Sequence, residues 1–169
     1  MKTIGLLSDT HSFLPDGVFK YFADCDEVWH AGDFGSPGLI DALKEFKPLR
    51  GVYGNIDNPK ICTEFPLENI FMCEEVKVYM KHIGGYPNKY AQGVKETIIR
   101  ERPLLFISGH SHILKIMYDD KLQCLHINPG ACGIQGWHKV QTLVKFEIDA
   151  RQVKNCRIIE LEKKTGKMY

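Results

Sequence analysis

Residues 3–11 read TIGLLSDTH, a short apolar run that ends abruptly in polar side chains. A run of this kind is typical of a strand buried within a sheet, with the polar residues at its carboxyl end. Two similar segments follow at Glu27–His30 and Leu49–Tyr53, and the segments around Val18–Phe22 and after Ser36 carry apolar residues at helical spacing. This β-α-β-α-β order predicts parallel strands with helices packed against the sheet.

The second half of the chain has mainly strand-like segments. Val76–Met80 alternates apolar with polar side chains, Tyr90–Ile98 predicts a helix with an apolar residue at every fourth position, and Leu104–Ser108 predicts another buried strand. Four further strand-like segments follow, at Ile113–Tyr118, Leu122–Ile127, Val140–Ile148 and Lys154–Leu161. We therefore expect a single domain over residues 1–169 of the α/β class, with two packed mixed β-sheets flanked by helices.

The composition is that of an ordinary globular domain. The chain has 169 residues, 22 basic and 21 acidic side chains, a formal net charge of +1 and a hydrophobic fraction of 44%. This length fits one domain. The balanced charge argues against a broad surface for nucleic-acid phosphates, because such surfaces carry a basic excess. The charged run Glu160–Lys164 with Lys167 is typical of a solvated tail.

Two features favour the cytoplasm. The opening apolar run is interrupted by Asp9 before it reaches the length of a signal-peptide core, and no later apolar run approaches the roughly 20 residues that cross a bilayer. The six cysteines are scattered singly without a C-x-x-C pair, which without a secretory signal indicates reduced thiols. We therefore expect a cytoplasmic protein without a membrane segment.

Side chains able to bind a metal ion fall just past the carboxyl ends of the predicted strands. Taken strand by strand, they are Asp9 and His11, then Asp33, then Asn55, then His82, and finally His110 and His112. Open α/β sheets place their binding crevice at this edge. Carboxylate and imidazole groups that converge there from separate strands form the kind of site that a divalent metal ion needs.

Most of these segments have a purely structural explanation when taken alone. D-T-H at 9–11 suits a helix cap followed by a surface histidine, G-D at 32–33 suits an ordinary turn, and G-N at 54–55 is a turn dipeptide that tolerates positive φ. The two histidines of G-H-S-H at 109–112 are harder to explain in this way, because they directly follow a buried strand. Since all seven side chains fall just past strand ends, we interpret them together as one metal-binding crevice.

Taken in order, these motifs resemble those of a known family. D-x-H, G-D, G-N, the single His82 and G-H-x-H follow the pattern of the calcineurin-like metallophosphoesterase superfamily. The chain length and the later turn at 128–130, N-P-G, resemble its small prokaryotic YfcE-like phosphodiesterase branch. The resemblance covers residues 8–148. It implies an αββα sandwich and a metal-dependent phosphodiesterase, a hydrolase that acts on a small phosphodiester.

The resemblance also implies a dinuclear metal centre. By analogy with the family, one metal ion is held by Asp9, His11 and His112, the other by Asn55, His82 and His110, and Asp33 bridges both. Asn55 and His110 are further implied to contact the substrate. The implied ions are divalent, with Mn expected first and Fe, Zn or Ni as alternatives. A hydroxide held between the two ions would attack phosphorus.

Two departures from related phosphatases bear on the chemistry. Protein phosphatases that resemble this chain carry Gly-Asn-His-Glu and an arginine shortly after Gly-Asp, whereas this chain has Ile56 after Asn55 and no arginine soon after Asp33. The family histidine is taken as the acid that protonates the leaving group, and Ile56 cannot do so. We therefore expect a phosphodiesterase rather than a protein phosphatase, with the proton donor unassigned.

Three further segments have two interpretations each. His30 either orients the Asp33 carboxylate or is satisfied by the backbone at the end of its strand. Asp57 either holds a ligand such as Asn55 or His82 in place or belongs to an Asp-Asn-Pro turn. Trp137–Lys139 either lines the substrate groove or begins an edge strand. We take His30 and Asp57 as candidates for groups that support the metal ligands, and no side chain is assigned a direct catalytic role.

A non-catalytic alternative has the same fold. The retromer subunit that resembles this family works as a protein-interaction scaffold, and a scaffold need not keep every metal ligand. All seven ligand positions are intact here, which favours the enzyme. A chain of this length has no room for a separate cap domain, so substrate selection must come from loops around the site or from a partner subunit, which leaves a homo-oligomer open.

Overall fold

The computed structural model describes residues 1–161 and 165–169. Within those ranges the helices are α1 (Asp16–Tyr21), α2 (Pro37–Phe46), α3 (Pro59–Glu64) and α4 (Val94–Glu101). The strands in chain order are β1 (Lys2–Leu7), β2 (Phe13–Pro15), β3 (Glu27–His30), β4 (Leu49–Gly51), β5 (Glu68–Cys73), β6 (Val76–Lys81), β7 (Gly85–Tyr86), β8 (Lys89–Tyr90), β9 (Leu105–Ile107), β10 (Leu114–Asp119), β11 (Cys124–Pro129), β12 (Gln141–Asp149), β13 (Gln152–Leu161) and β14 (Gly166–Met168).

Two mixed five-stranded sheets form the centre of the molecule. The first has the order β13-β12-β1-β3-β4, in which β3 is parallel to both β1 and β4, and β12 is antiparallel to its neighbours. The second has the order β10-β11-β9-β6-β5, in which β9 is parallel to both β6 and β11. Every predicted metal ligand therefore follows a strand of one of the two parallel groups.

The apolar side chains form three layers of contacts. Ile4 and Leu6 of β1 pack between the sheets against a set that includes Val78 and Met80 of β6. On the outer face of the first sheet, Leu7 of β1 packs with buried residues of α1, α2 and α3, and on the outer face of the second sheet residues of β6 and β9 pack against α4. The resulting helix-sheet-sheet-helix arrangement confirms the predicted fold class.

A glycine in β1 allows a helix-end side chain to approach the first sheet. A Cβ atom at position 5 would lie 2.5 Å from the ring of Phe22, which follows α1 and is fully buried. The glycine in TIGLL therefore permits the close packing of Phe22 against β1.

Several local predictions differ from the structure. The helix predicted over Tyr90–Ile98 begins only at Val94, because Gly93 adopts φ +81° and breaks the helical path. Tyr90 belongs instead to β8, and its hydroxyl donates to the Asp119 carboxylate at 2.7 Å. Helix α3 was not predicted; it starts after Asn58, whose side chain accepts from the backbone N–H of Ile61 at 3.1 Å.

Residues 166–169 at the end of the chain pack against the body of the molecule. Residues 162–164 of the charged run predicted as a tail lie outside the described residues. Gly166–Met168 pairs antiparallel with β2, and the N–H of Tyr169 donates to the carbonyl of Ser12 at 2.9 Å. Glu160 and Lys167 are exposed, as expected of a solvated run, but they belong to β13 and β14, so the prediction of a tail is wrong for these two residues. The backbone of β14 completes a small sheet beside the loop that carries His11. No helix among the described residues has the length and apolarity needed to cross a membrane.

A buried carboxylate lies at the amino end of β3, the opposite end of the strand from the predicted ligands. Glu27 is 4% exposed and accepts hydrogen bonds from Lys2 Nζ at 2.6 Å, Trp29 Nε1 at 2.9 Å and Arg50 Nε at 2.7 Å. Burial alone would raise the pKa of Glu27, but these three donors outweigh it and lower the pKa to about 2.

We expect Glu27→Gln to lower the free energy of unfolding at pH 7 by about 2 kcal/mol, because it removes the charged acceptor of Lys2 and Arg50. The effect is not larger, because both cations are partly exposed and solvent screens their attraction to Glu27. The folded-state pKa lies below the unfolded value, so this contribution is present above the ordinary glutamate pKa and is lost as the pH falls towards 2. Urea unfolding between pH 7 and pH 3 measures it. The variant should show a flatter loss of stability below about pH 4.5 than wild type; equal acid slopes would contradict the role given to Glu27.

Candidate metal centre

The predicted ligands lie on five loops, each of which follows a strand. Asp9 and His11 follow β1, Asp33 follows β3, Asn55 follows β4, His82 follows β6, and His110 and His112 follow β9. The loops come from both sheets, so the ligand side chains converge from the two halves of the sandwich. This is the edge at which parallel strands offer a binding crevice.

One cluster joins the first and the last of these loops. A ligand atom from each of Asp9, His11 and His112 lies within 4.8 Å of those of the other two. His112 Nε2 is 3.1 Å from Asp9 Oδ1. Asp9 is fully buried, whereas the two histidines are partly exposed. The cluster is therefore closed on the carboxylate side and open towards solvent on the imidazole side.

A second cluster adjoins the first. Ligand atoms of Asp33, His82 and His110 also lie within 4.8 Å of one another. Asp33 Oδ2 is 3.2 Å from His82 Nε2 and 3.4 Å from His11 Nε2, so a single carboxylate oxygen faces both clusters. His82 Nε2 is in turn 3.9 Å from Asp9 Oδ1. Asp33 thus has the position that a bridging ligand would need.

Asn55 lies on the turn that follows β4. This turn is anchored to the second cluster, because the N–H of Ile56 donates to Asp33 Oδ1 at 3.1 Å. Asn55 is exposed and lines a cavity of about 340 Å³ together with His82. Gly54 is tightly packed there, since a Cβ atom would lie 2.0 Å from Asp33 Oδ1. Six of the seven predicted ligands therefore form two clusters, and the seventh is on an adjacent turn; their role as ligands stays a prediction.

The backbone is strained at most of these positions. Five of the seven have φ between +45° and +68°, namely Asp9, His11, Asp33, His110 and His112. Such conformations are uncommon for residues other than glycine and cost roughly 1–3 kcal/mol each. The strain is held by cross-loop hydrogen bonds, such as that from the N–H of Asp9 to the carbonyl of Gly32 at 3.0 Å. Strain of this kind concentrates at functional sites.

Several buried polar atoms of the clusters have no hydrogen-bond partner among the described residues. They are Asp9 Oδ1, His11 Nε2 and His82 Nε2. Their close approaches to one another and to Asp33 lack hydrogen-bond geometry, so these buried atoms face one another without a hydrogen bond between them. Buried polar groups are otherwise almost always paired. A divalent cation bound at each cluster would satisfy these atoms. The mixed carboxylate and imidazole donors suit a transition-metal ion, so the residues present fit two such ions.

The other oxygen of Asp9 is fully used. Asp9 Oδ2 accepts from the hydroxyl of Ser8 at 2.6 Å and from the N–H of His110 at 3.1 Å. These donors fix the carboxylate so that Oδ1 is the atom left to face His112. Ser8 was not among the predicted site residues, although its place directly before the ligand was a usable signal.

The charges of the clusters favour ionised carboxylates. Burial alone would raise the pKa values of Asp9 and Asp33, but the imidazoles of His112 and His82 outweigh it and hold both pKa values below the ordinary range. Burial lowers the pKa of His11, which keeps its ring neutral and able to bind a cation. Both carboxylates are therefore negatively charged at neutral pH and able to attract cations.

The outer nitrogens of two ligand histidines are held by hydrogen bonds. His82 Nδ1 donates to the carbonyl of Ala31 at 2.7 Å, which leaves Nε2 as the atom that faces Asp33 and would bind a metal ion. His112 Nδ1 lies 3.3 Å from His138 Nδ1, and His138 Nε2 donates to the carbonyl of Gly133 at 2.8 Å. His138 Nδ1 is therefore the acceptor and His112 Nδ1 the donor, which again leaves Nε2 free to bind a metal ion.

The structure separates the alternatives for Trp137–Lys139. The next strand begins only at Gln141, so these residues do not start an edge strand. Trp137 is fully exposed and lines a cavity together with His110 and His112. The hydrogen bond from His112 to His138 was not predicted, because the two residues are 26 positions apart and no local pattern links them.

His30 contacts the loop that carries Asp33 rather than the Asp33 carboxylate. Its Nδ1 accepts from the N–H of Gly32 at 3.1 Å, and its Nε2 lies 2.9 Å from the hydroxyl of Thr10. That hydroxyl donates to the carbonyl of Phe34 at 3.0 Å. Burial lowers the pKa of His30 to about 3, so the ring is neutral. His30 is therefore satisfied by one backbone N–H and one side-chain hydroxyl, and it supports the loop that carries Asp33 through these contacts.

Asp57 ties two ligand loops together. Its Oδ1 accepts from the N–H of Gly35 at 2.9 Å, and its Oδ2 accepts from the N–H of Gly54 at 2.8 Å. Gly35 follows Asp33, and Gly54 precedes Asn55. Asp57 therefore sets the distance between these two loops through the backbone instead of holding a ligand side chain.

Comparison with known proteins gives several relatives. The chain is 33% identical over 114 residues to a probable metallophosphoesterase of Methanothermobacter thermautotrophicus, which covers 64% of this chain and 66% of that protein. It is 28% identical over 148 residues to a phosphodiesterase of Methanocaldococcus jannaschii, covering 76% of this chain and 83% of the relative. The chain thus spans about two thirds or more of the length of these curated relatives.

Solved structures share the fold. One described as a novel archaeal phosphodiesterase superposes with a TM-score of 0.71 at 24% identity, over 94% of this chain and 99% of that chain. Vps29 of Chaetomium thermophilum superposes with a TM-score of 0.74 at 13% identity, over 95% of this chain and 97% of that chain. At these identities the similarity is one of fold alone.

The family assignment comes from the sequence as a whole. The model of the calcineurin-like phosphoesterase superfamily domain matches residues 1–151, a span that contains every predicted ligand. This agrees with the resemblance inferred from the ordered motifs. The chain belongs to the calcineurin-like phosphoesterase superfamily.

Proposed function

We propose that this chain is a phosphodiesterase that works with two divalent metal ions and hydrolyses a small phosphodiester. The observation that carries the proposal is the pair of adjacent His/Asp clusters that share one oxygen of Asp33. The phosphodiesterase of Methanocaldococcus jannaschii among the relatives supports the same reaction class. We also propose a cytoplasmic location, on the sequence pattern of cysteines that are scattered singly without a C-x-x-C pair.

The assignment of ligands follows the two clusters. Asp9, His11 and His112 would hold one ion, His82 and His110 with Asn55 the other, and Asp33 would bridge them. Manganese is our first choice, with iron, zinc and nickel as alternatives, because the donor set suits all four. When bound, such a pair supplies an acidified water and positive charge for the phosphoryl group.

The protein's own part is to position these groups. Ser8 and the N–H of His110 fix the Asp9 carboxylate, while Ala31 and His138 fix the rings of His82 and His112. His110 and Asn55 are both exposed and stand where a phosphate oxygen would enter, so we assign them substrate contact.

Hydrolysis of two aryl esters tests the proposal. With added manganese we expect bis(p-nitrophenyl) phosphate to be cleaved faster than p-nitrophenyl phosphate. The monoester brings an additional negative charge, and no arginine lies shortly after Asp33 to receive it. Treatment with a chelator should remove the activity, and manganese should restore it. If neither ester is hydrolysed under saturating metal, the proposal is contradicted.

A non-catalytic scaffold is the alternative. It is considered because the fold is similar to that of Vps29 of Chaetomium thermophilum. The two proposals differ in what the clusters are for. A scaffold need not keep a carboxylate shared between two sets of imidazoles, nor outer nitrogens that are fixed by hydrogen bonds. The intact clusters therefore favour the enzyme.

A prediction for His138 tests the arrangement of the ligand rings. His138→Ala removes the acceptor for His112 Nδ1, so we expect metal affinity to fall about 10–100-fold. His138→Gln should restore most of it, because its amide can accept from His112 and donate to Gly133. Competition with a chromophoric chelator measures the affinity directly, and Lys139→Ala is the matched control on the same loop. Equal affinity in the alanine and glutamine variants would contradict a positioning role.

A further inference from the structure

A cavity of about 330 Å³ adjoins the second cluster, and His110 forms part of its lining. The β7–β8 hairpin contributes Tyr86 and Lys89, and the first strand of the β10–β11 pair contributes Lys115. Because His110 is shared, a molecule whose phosphorus lies at the clusters can extend into this cavity.

The cavity has uncompensated positive charge. Lys89 and Lys115 line it, and no aspartate or glutamate does. Neither lysine forms an ion pair with a carboxylate in the described part of the chain, and Lys115 Nζ lies instead over the ring of Tyr86, 3.5 Å from its centroid. In the cavity beside Asn55, by contrast, the lining lysine is Lys81, and it is paired with Glu68 at 2.5 Å. Of these two cavities, only the one lined by Lys89 and Lys115 therefore offers unpaired cations to an anionic ligand.

His126 also lines this cavity, and one of its ring nitrogens is buried without a partner. His126 is 1% exposed, and its Nε2 lies 2.9 Å from the hydroxyl of Ser108, which donates to the carbonyl of Gly85 at 3.1 Å. Ser108 must therefore accept from Nε2, which leaves Nδ1 as a lone pair that has no partner among the described residues. A neutral imidazole with a free lone pair is suited to a hydroxyl donor of a ligand.

The rim of the cavity is apolar. Ile83 and Ile113 line it and are 43% and 62% exposed, although both are large aliphatic side chains. Ligand sites commonly combine such apolar walls with a few polar groups that select the ligand. A carbon skeleton would contact the two isoleucines while its polar substituents reach Lys115 and His126.

We propose that this cavity is a subsite for one ester group of the substrate, and that this group is a hydroxylated skeleton with a second phosphate. The substrate class is then a phosphodiester that carries an additional terminal phosphate, as a phosphorylated nucleotide ester does. This inference rests on the proposed phosphodiesterase function, and it adds the residues that would select the substrate. The lysines receive the second phosphate, and the scissile phosphorus stays at the two clusters.

A matched pair of substrates tests the subsite. One is the p-nitrophenyl ester of thymidine monophosphate, and the other is the same ester with a second phosphate on its free sugar hydroxyl. In wild type we expect the second phosphate to lower KM about 10-fold with little change in kcat, the size of one charge-assisted contact. Lys115→Met should lose this preference, so that its KM values for the two esters become equal, while its aliphatic side chain still fills the wall of the cavity. Circular dichroism checks that the variant is folded.

Lys121→Met is the control for a general loss of positive charge. Lys121 is exposed and does not line this cavity, so its variant should keep the 10-fold preference. Equal KM values for the two esters in wild type, or an equal loss of preference in both variants, would overturn the subsite. If neither ester is hydrolysed, the proposed function fails, and calorimetric titration with thymidine bisphosphate decides the subsite alone. Binding to wild type that weakens in Lys115→Met would support it, and equal binding would overturn it.

Discussion

Replacing Asp33 with alanine should abolish measurable phosphodiester hydrolysis without unfolding the protein. Asp33 Oδ2 lies 3.2 Å from His82 Nε2 and 3.4 Å from His11 Nε2, which places one carboxylate oxygen against both clusters. Without it, two metal ions would have no shared ligand to hold their spacing, and the activation of a shared water depends on that spacing. We expect the rate to fall by at least about 10³-fold, as in the larger losses seen when one charge-stabilising group is removed.

A second variant separates the charge of Asp33 from its backbone. Asp33 has φ +59°, a conformation that asparagine tolerates better than alanine. Asp33→Asn should therefore lose hydrolysis as fully as Asp33→Ala while retaining more stability. Release of p-nitrophenol and the thermal unfolding midpoint measure the two effects. A well-folded variant of either kind with near wild-type turnover would show that the bridging role is misassigned.

The second large effect concerns the leaving group. The side chain of Ile56 is 44% exposed beside the second cluster, and only its backbone N–H contacts Asp33. A hydrocarbon there cannot protonate a departing oxygen, and well-placed acid catalysis is worth about 10²–10⁴-fold. Aryl diesters, whose leaving groups carry negative charge easily, should therefore be cleaved faster than alkyl diesters by a factor in this range.

Ile56→His provides the complementary test. If the new ring reaches the departing oxygen, hydrolysis of alkyl diesters should rise more than that of aryl diesters, because only the poor leaving groups need the proton. A series of diesters with leaving groups of graded pKa, run on wild type and on Ile56→His, measures the dependence. A flat wild-type series would mean that another group, with His11 as the first candidate, supplies the proton or that chemistry is not rate-limiting.

The regular strands of the sandwich could be predicted from local patterns. Glu27–His30 is observed with the predicted bounds, and the run that begins at Thr3 is strand β1 with a shift of one residue. Such strands are apolar because both of their faces are covered, so composition alone reveals them. Strand β5 was missed, since only one of its six residues is buried, and the start of α4 was misplaced because Gly93 turns the chain just before it.

For the candidate site, the metal-binding side chains could be predicted from the sequence, but the contacts that support them could not. Motif order selected the side chains of the two clusters, because ligands that share a crevice must each follow a strand end. The left-handed backbone at Asp9 and His112 depends on contacts across loops and left no local signal. The same holds for His138, whose contact with His112 exists only once the loop after β11 has folded over the site. The supporting residues were therefore harder to predict than the ligands.

The metal content of the protein tests the dinuclear centre most directly. After removal of metal with a chelator, reconstitution with excess manganese and removal of unbound ions, elemental analysis gives the number of ions per chain. We expect two for wild type and fewer for Asp33→Asn, which keeps the fold but loses the shared carboxylate. Saturation at one ion or none in wild type would contradict a centre in which Asp33 joins two metal sites.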